Sequence, residues 1–241
     1  MSNNELFLEK YRELENLIKN KLTSEYRGNS PIYNYIREIY NSPYSNDHER
    51  GEKLDSIREL RNQMSHKNVD GILEISNDAI VFLENEIKII QNPICAIDIC
   101  TKLKDIHYAT LDSSLNNVMK TLIKYGYSHI PVLNENKLIG VFSENTIFTI
   151  YNKNHNILNK ENIILNDISY YLDINNHQTE CFAFVDEKYN ASNIIKRFQK
   201  RKENNKRLTV FFVTKEGNTN SNLIGMITPY DALIKKETLN I

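Results

Sequence analysis

The chain has 241 residues, 40% of them hydrophobic and 25% charged, and a formal net charge of −1. That length holds two domains with real cores, the composition excludes a disordered chain, and the charge excludes polyanion binding through overall charge. Three cysteines without a Cys-x-x-Cys pair (Cys95, Cys100, Cys181) argue against a disulfide or zinc scaffold; with no secretion leader and no apolar run near ~20 residues, a cytoplasmic protein is expected.

Residues 1–92 read as helical. Phe7, Tyr11, Leu14 and Ile18 recur at helical spacing among charged residues. Pro31 to Tyr40 predicts a shorter helix, closed by Ser42-Pro43. A third helix runs from near Asp47 to His66, with Leu54, Ile57, Leu60 and Met64 on one face. Lys67 to Gly71 has the Asn, Asp and Gly of a turn. The fourth helix carries Ile72, Ile75, Ala79, Phe82 and Ile90 and ends before Pro93. Four amphipathic helices with short connections predict an antiparallel bundle.

The third helix ends in Arg61-Asn-Gln-Met-Ser-His66. Arginine forks onto phosphate oxygens and histidine moves protons near neutrality, which is what cleavage of RNA by its own 2′-hydroxyl requires. Five residues on a helix set Arg61 and His66 ~140° apart, whereas Asn62 and His66 share a face. Arg61 and His66 meet only if the helix loosens at its end or if a second chain supplies the facing copy. The plainer reading is a helix terminus, where the dipole favours basic residues such as Lys67. With Ile57-Arg-Glu-Leu60 before it and four helices around it, the motif resembles that of HEPN domains. The resemblance implies a metal-independent endoribonuclease acting as a dimer, with Arg61, Asn62 and His66 catalytic and RNA as substrate. An inactive scaffold of the same type is the other outcome.

After Pro93 short β-branched runs alternate with helices, the pattern of a mixed α/β region. Asp112-Ser-Ser starts a helix bearing Leu115, Val118, Met119 and Leu122, which stops at Gly126. The strand through Pro131 turns at Asn134-Glu-Asn-Lys137 and returns as Leu138 to Phe142, a hairpin. Further on, a helix carries Ile194, Ile195 and Phe198, a strand follows at Leu208 to Val213, and a longer turn includes Gly217-Asn218 and Ser221-Asn222. Seven basic residues between Lys196 and Arg207 suit RNA or outer phosphates, or form a solvated helix face. His48, His107, His155 and His177 form no metal spacing, so no metal site is expected.

Gly225-Met-Ile-Thr228-Pro-Tyr-Asp231 repeats Gly140-Val-Phe-Ser143-Glu-Asn-Thr146 with an offset of 85 residues. Each copy follows an apolar strand, so a duplicated unit buries its sheet against its twin and leaves a cleft between the two. A carboxylate at a helix start accepts hydrogen bonds from hydroxyls, and a threonine with free N–H groups beside it suits a phosphate. Thr-Pro-Tyr-Asp is equally a good helix cap. Ser128-His-Ile-Pro-Val132 with Leu138 to Ser143, and Val213 with Leu223 to Asp231, resemble a CBS domain pair. That resemblance implies an adenine nucleotide (AMP, ADP or ATP) in the cleft, bound through Thr228 and Asp231, with Ser143 as the first-copy counterpart and His129 facing the phosphates. Thr146 stands where the family has aspartate, so one good site is expected.

The expected fold class is α+β: an N-terminal antiparallel helical bundle (HEPN-like) over 1–92, then a tandem CBS pair of mixed β-α-β-β-α units over 93–237. The copies lie at about 95–155 and 165–237. The implied function is an adenine-nucleotide-regulated, metal-independent endoribonuclease acting as a homodimer. The alternatives are a non-enzymatic adenine-nucleotide sensor with an inactive helical domain, and an RNA-binding regulator without cleavage.

Overall fold

A computed structural model describes residues 1–21, 30–41, 47–66, 73–154, 156–157, 161–200 and 205–238, without the side chains at 21, 47, 66 and 234–238. The chain divides into two compact units, Met1–Ile94 and Cys95–Leu239.

The first unit holds α1 (Asn3–Lys21), α2 (Pro31–Tyr40), α3 (Asp47–His66) and α4 (Asn77–Gln91). Ser30 caps α2 by accepting the Tyr33 N–H at 3.3 Å, and Pro31 fills the first turn, where no N–H is needed. α4 starts later than the apolar spacing predicts. Ser76 caps it, accepting from the Ala79 N–H at 3.4 Å, while Ile75 is buried ahead of the helix. A cap residue outranks apolar periodicity in deciding where a helix begins. α1 packs on α4 and α2, and α2 on α3. Phe7, Leu14, Ile32, Leu54 and Leu83 are fully buried in their shared core. Glu86 is buried there as well, held by Arg50 through Nε to Oε1 at 2.7 Å and Nη2 to Oε2 at 2.8 Å. The expected Ser42-Pro43 stop, the Lys67–Gly71 turn and Ile72 lie outside the described residues.

The second unit runs α5 (Ala96–Ile99), β1 (Thr101–Lys102), α6 (Leu115–Tyr125), β2 (His129–Asn134), β3 (Lys137–Ser143), α7 (Glu144–Asn154), α8 (Ser169–Leu172), β4 (Glu180–Val185), α9 (Ala191–Gln199), β5 (Arg207–Thr214), β6 (Leu223–Ile227) and α10 (Pro229–Thr238). α6 ends at Gly126 with φ 66°, the left-handed cap that glycine adopts without Cβ strain. β2 and β3 form the expected antiparallel hairpin, turning through Glu135 and Asn136, both at positive φ.

The duplication is visible in the order of elements. In the first copy Ala109 bridges Val132 in parallel, then come α6, β2, antiparallel β3 and α7. In the second, β4 lies parallel to β5, β5 antiparallel to β6, and α9 and α10 occupy the helical places. β1 lies near the start of the first copy in sequence yet pairs with β6 of the second, giving the sheet order β1-β6-β5-β4. Leu133, Leu138 and Val141 share a core with Val210, Phe212, Leu223 and Met226, so the copies bury their sheets against each other. Gly140 and Gly225 have one physical reason for being glycine. A Cβ would come within 2.8 Å of the Leu172 carbonyl oxygen at Gly140 and within 2.5 Å of the Thr101 carbonyl oxygen at Gly225.

Among the described residues, no helix is long and apolar enough to cross a membrane.

Candidate functional site

β6 ends at Ile227, and Thr228 alone separates it from α10. Asp231 Oδ2 accepts from the Thr228 N–H at 2.8 Å and from the Thr228 hydroxyl at 2.6 Å. The Asp231 N–H in turn reaches Thr228 Oγ1 at 3.3 Å, closing a reciprocal cap. The helix-start reading of Thr-Pro-Tyr-Asp is therefore realised, and it also fixes the carboxylate in one orientation.

A second hydrogen bond holds that carboxylate from the opposite side. Thr101 Oγ1 donates to Asp231 Oδ1 at 2.8 Å. Thr101 arrives there because β1 lies against β6 with Thr101 opposite Met226 and Lys102 opposite Gly225, where the missing side chain lets the strands close. Thr101 carried no signal in the sequence. It sits outside the repeated segments, in a strand of two residues.

Thr101, Thr228 and Asp231 line a cleft of about 670 Å³ together with Asp105, Ile106, His107, Gly126, Tyr127, Ser128, His129, Met226, Pro229 and Tyr230. Its walls thus come from both copies, and its volume suits a molecule of nucleoside size. Apolar and aromatic surface (Ile106, Tyr127, Met226) faces the same space as the carboxylate. His107 Nδ1 and the Tyr127 hydroxyl are 3.0 Å apart, and the Tyr125 ring lies 4.3 Å from the His107 ring, which steadies that wall.

The chemistry follows from counting lone pairs. Oδ2 of Asp231 already accepts two hydrogen bonds, and Oδ1 accepts one. One acceptor position remains on the carboxylate, and the Thr101 oxygen can accept as well as donate. Between them the two residues can receive two adjacent hydroxyls.

The corresponding place in the first copy is filled from within. Ser143 and Thr146 are buried; the Ser143 N–H reaches Thr146 Oγ1 at 3.0 Å, so the threonine repeats the capping half of the motif. The carboxylate is supplied by Glu180 of β4, only 1% exposed. Glu180 accepts from the Ser143 hydroxyl, from Asn145 Nδ2 at 3.0 Å, from His129 Nε2 at 3.1 Å and from His177 Nδ1 at 2.9 Å. Burial alone raises the Glu180 pKa, but the hydrogen bonds from His129, His177 and Ser143 outweigh it and hold the carboxyl well below the usual range.

The expected binding residues therefore separate. Thr228 and Asp231 line the cleft, His129 lines it while pairing with Glu180, and Ser143 is enclosed with Glu180. In the first unit, Arg61 and Asn62 are half-buried near the end of α3. The Arg61 guanidinium lies 5.4 Å from the Tyr11 ring centroid and donates to Asn62 Oδ1 at 3.3 Å. α3 stays helical to His66, so within one chain the backbone keeps Arg61 and His66 ~140° apart; the His66 side chain lies outside the described residues. Of the basic stretch, positions 201–204 also lie outside them, as does His155. No group of histidine, cysteine and acidic residues fit to hold a metal occurs among the described residues.

The family model described as the CBS domain matches residues 96–153, the stretch from α5 to α7. No curated protein matches the chain. Among solved structures, the chain is similar to the CBS-pair protein CBSX2 from Arabidopsis thaliana, with 14% identity and a TM-score of 0.45 over 62% of this chain and 98% of that one. A structure of CBSX2 in complex with AMP gives 15% identity and a TM-score of 0.45, covering 61% of this chain and 98% of that one. The CBS domain pair of protein MJ0100, in complex with 5′-methylthioadenosine and S-adenosyl-L-methionine, gives 17% identity and a TM-score of 0.41, with coverage of 61% and 98%.

Proposed function

We propose that this is a regulatory protein whose second unit is a CBS pair that binds an adenosine-containing ligand, such as an adenine nucleotide, in the cleft lined by Thr101, Thr228 and Asp231. The CBS match over residues 96–153 supports the first half of the pair, and the repeated element order with its repeated glycine supports the second. The observation that carries the reading is the Asp231 carboxylate. It is anchored on both sides in a wall of a cleft of about 670 Å³ and keeps an acceptor position open beside the Thr101 oxygen. A ribose diol is the common ligand group that needs two adjacent acceptors. The filling of the first-copy place by Glu180 gives one ligand per chain.

The test is calorimetric titration with adenosine, AMP and ATP. One ligand per chain is expected for the wild type. Asp231→Ala is expected to weaken binding at least about tenfold, the loss of one well-placed charged acceptor. Equal affinity in wild type and variant would overturn the reading.

A second reading concerns the first unit. Arg61 is steadied by Tyr11 and Asn62 near the end of α3, which favours a HEPN-type endoribonuclease assembled from two chains. In that case the ligand acts by changing how an RNA-cutting dimer works. In the non-enzymatic case the helices only pair or bind a partner.

A further inference from the structure

Resting on the proposed adenosine site, we infer that the cleft selects ligands whose 5′ substituent is neutral or cationic and discriminates against the polyphosphate of ATP. Three observations carry this.

The first is charge. Asp105 and Asp231 both line the cleft, and among the described residues neither lysine nor arginine does. A triphosphate entering beside these two carboxylates, exposed Asp105 and half-buried Asp231, meets repulsion from both.

The second is the helix start. Such a terminus ordinarily offers free N–H groups to an anion. Here the Thr228 N–H points to Asp231 Oδ2, Pro229 has no N–H, and the Asp231 N–H goes to Thr228 Oγ1. The Thr228 hydroxyl proton is used on the same carboxylate. Of that turn's amides this leaves Tyr230's, and the negative carboxylate beside it offsets the positive end of the helix dipole.

The third is His129, the residue expected to face phosphates. Its Nε2 meets Glu180 Oε2 at 3.1 Å and its Nδ1 meets the Ser128 hydroxyl at 2.8 Å. Both ring nitrogens are engaged, and the charge that the imidazole could bring is matched by Glu180. Of the other lining residues, Ile106, Tyr127, Met226, Pro229 and Tyr230 offer apolar and aromatic surface, suited to a base and a short uncharged or positive tail, and His107 has its Nδ1 3.0 Å from the Tyr127 hydroxyl.

The experiment compares ligands that differ mainly at the 5′ position: 5′-methylthioadenosine, S-adenosylmethionine, AMP and ATP, titrated calorimetrically into the full chain at one ionic strength. 5′-Methylthioadenosine and S-adenosylmethionine are expected to bind at least about tenfold tighter than ATP, with AMP between. Asp105 is exposed, so Asp105→Lys is compatible with folding, and it should shift the ATP to S-adenosylmethionine affinity ratio about tenfold or more toward ATP. ATP binding the wild type as tightly as 5′-methylthioadenosine, or a ratio unmoved by Asp105→Lys, would overturn the inference and leave the adenosine site standing. Failure of all four ligands to bind would instead remove the adenosine site, and this selectivity with it.

Discussion

Glu180 gathers partners from four segments: His129 in β2, Ser143 at the end of β3, Asn145 in α7 and His177 in the loop before β4. A carboxylate this deeply buried is tolerated only because every partner donates to it. Its folded pKa is depressed below the ordinary value of 4.5, opposed by burial and driven by the hydrogen bonds. A depressed folded pKa means the stabilisation is fully present above the unfolded value and is lost as pH falls through the folded one. Urea unfolding as a function of pH should therefore show wild-type stability falling below about pH 4.5, with Glu180→Gln falling less steeply. At neutral pH Glu180→Ala should cost about 3–5 kcal/mol, because His129 and His177 lose their shared acceptor. Glu180→Ala as stable as wild type at neutral pH, with Glu180→Gln keeping the wild-type fall at acid pH, would show that the cluster adds nothing. Thr146 in place of an aspartate was readable, and it is the basis for expecting one good site and not two. The carboxylate that fills the gap was not readable, since Glu180 comes from the other copy and belongs to no motif.

At the scale of elements, β1 is the piece on which the cleft depends. It is two residues long, and its pairing with β6 is what brings Thr101 to Asp231. Gly225→Ala places a methyl against the Thr101 carbonyl oxygen and the Cys100 Sγ, atoms that cannot both retreat while the strands stay paired. The variant is expected to lose about 1–3 kcal/mol of stability. Its ligand affinity should also fall, even though residue 225 does not line the cleft. Thermal unfolding and calorimetry on the same preparation check both effects, and unchanged affinity would detach Thr101 from binding. Periodicity and caps made most elements legible: Pro31 at the start of α2, Gly126 at the end of α6, and the β2–β3 turn. Where the chain gave two signals, the cap prevailed, as Ser76 did over Ile75 for α4. β1 and β4 escaped because their identity as strands comes from pairing with distant partners and not from local pattern.

For the molecule as a whole, the question is whether a ligand in the second unit changes what the first unit does. Each unit has its own buried core, and the cleft residues all belong to the second. Regulation then requires a coupling free energy: the ligand must bind one state of the helical unit more tightly than another. If the endoribonuclease reading holds, the motif Arg61, Asn62 and His66 supplies a readout. In the endoribonuclease reading, the full chain cuts single-stranded RNA in EDTA, since neither proton transfer by histidine nor phosphate binding by arginine needs a metal. α3 separates Arg61 from His66 by ~140° within one chain, so cleavage should also depend on protein concentration, as two chains assemble one site. A coupling of 1–3 kcal/mol would shift the balance between two states of the helical unit about 5–150-fold when the tightest adenosine ligand saturates the cleft; the cleavage rate should change with it, and Asp231→Ala should remove that response. RNA cut equally by wild type and His66→Ala assigns the activity to a contaminant and returns the helical unit to a pairing or partner-binding role. RNA cut by wild type alone, at a rate indifferent to every ligand that binds the cleft, would leave an enzyme and a binding module joined in one chain without regulation between them.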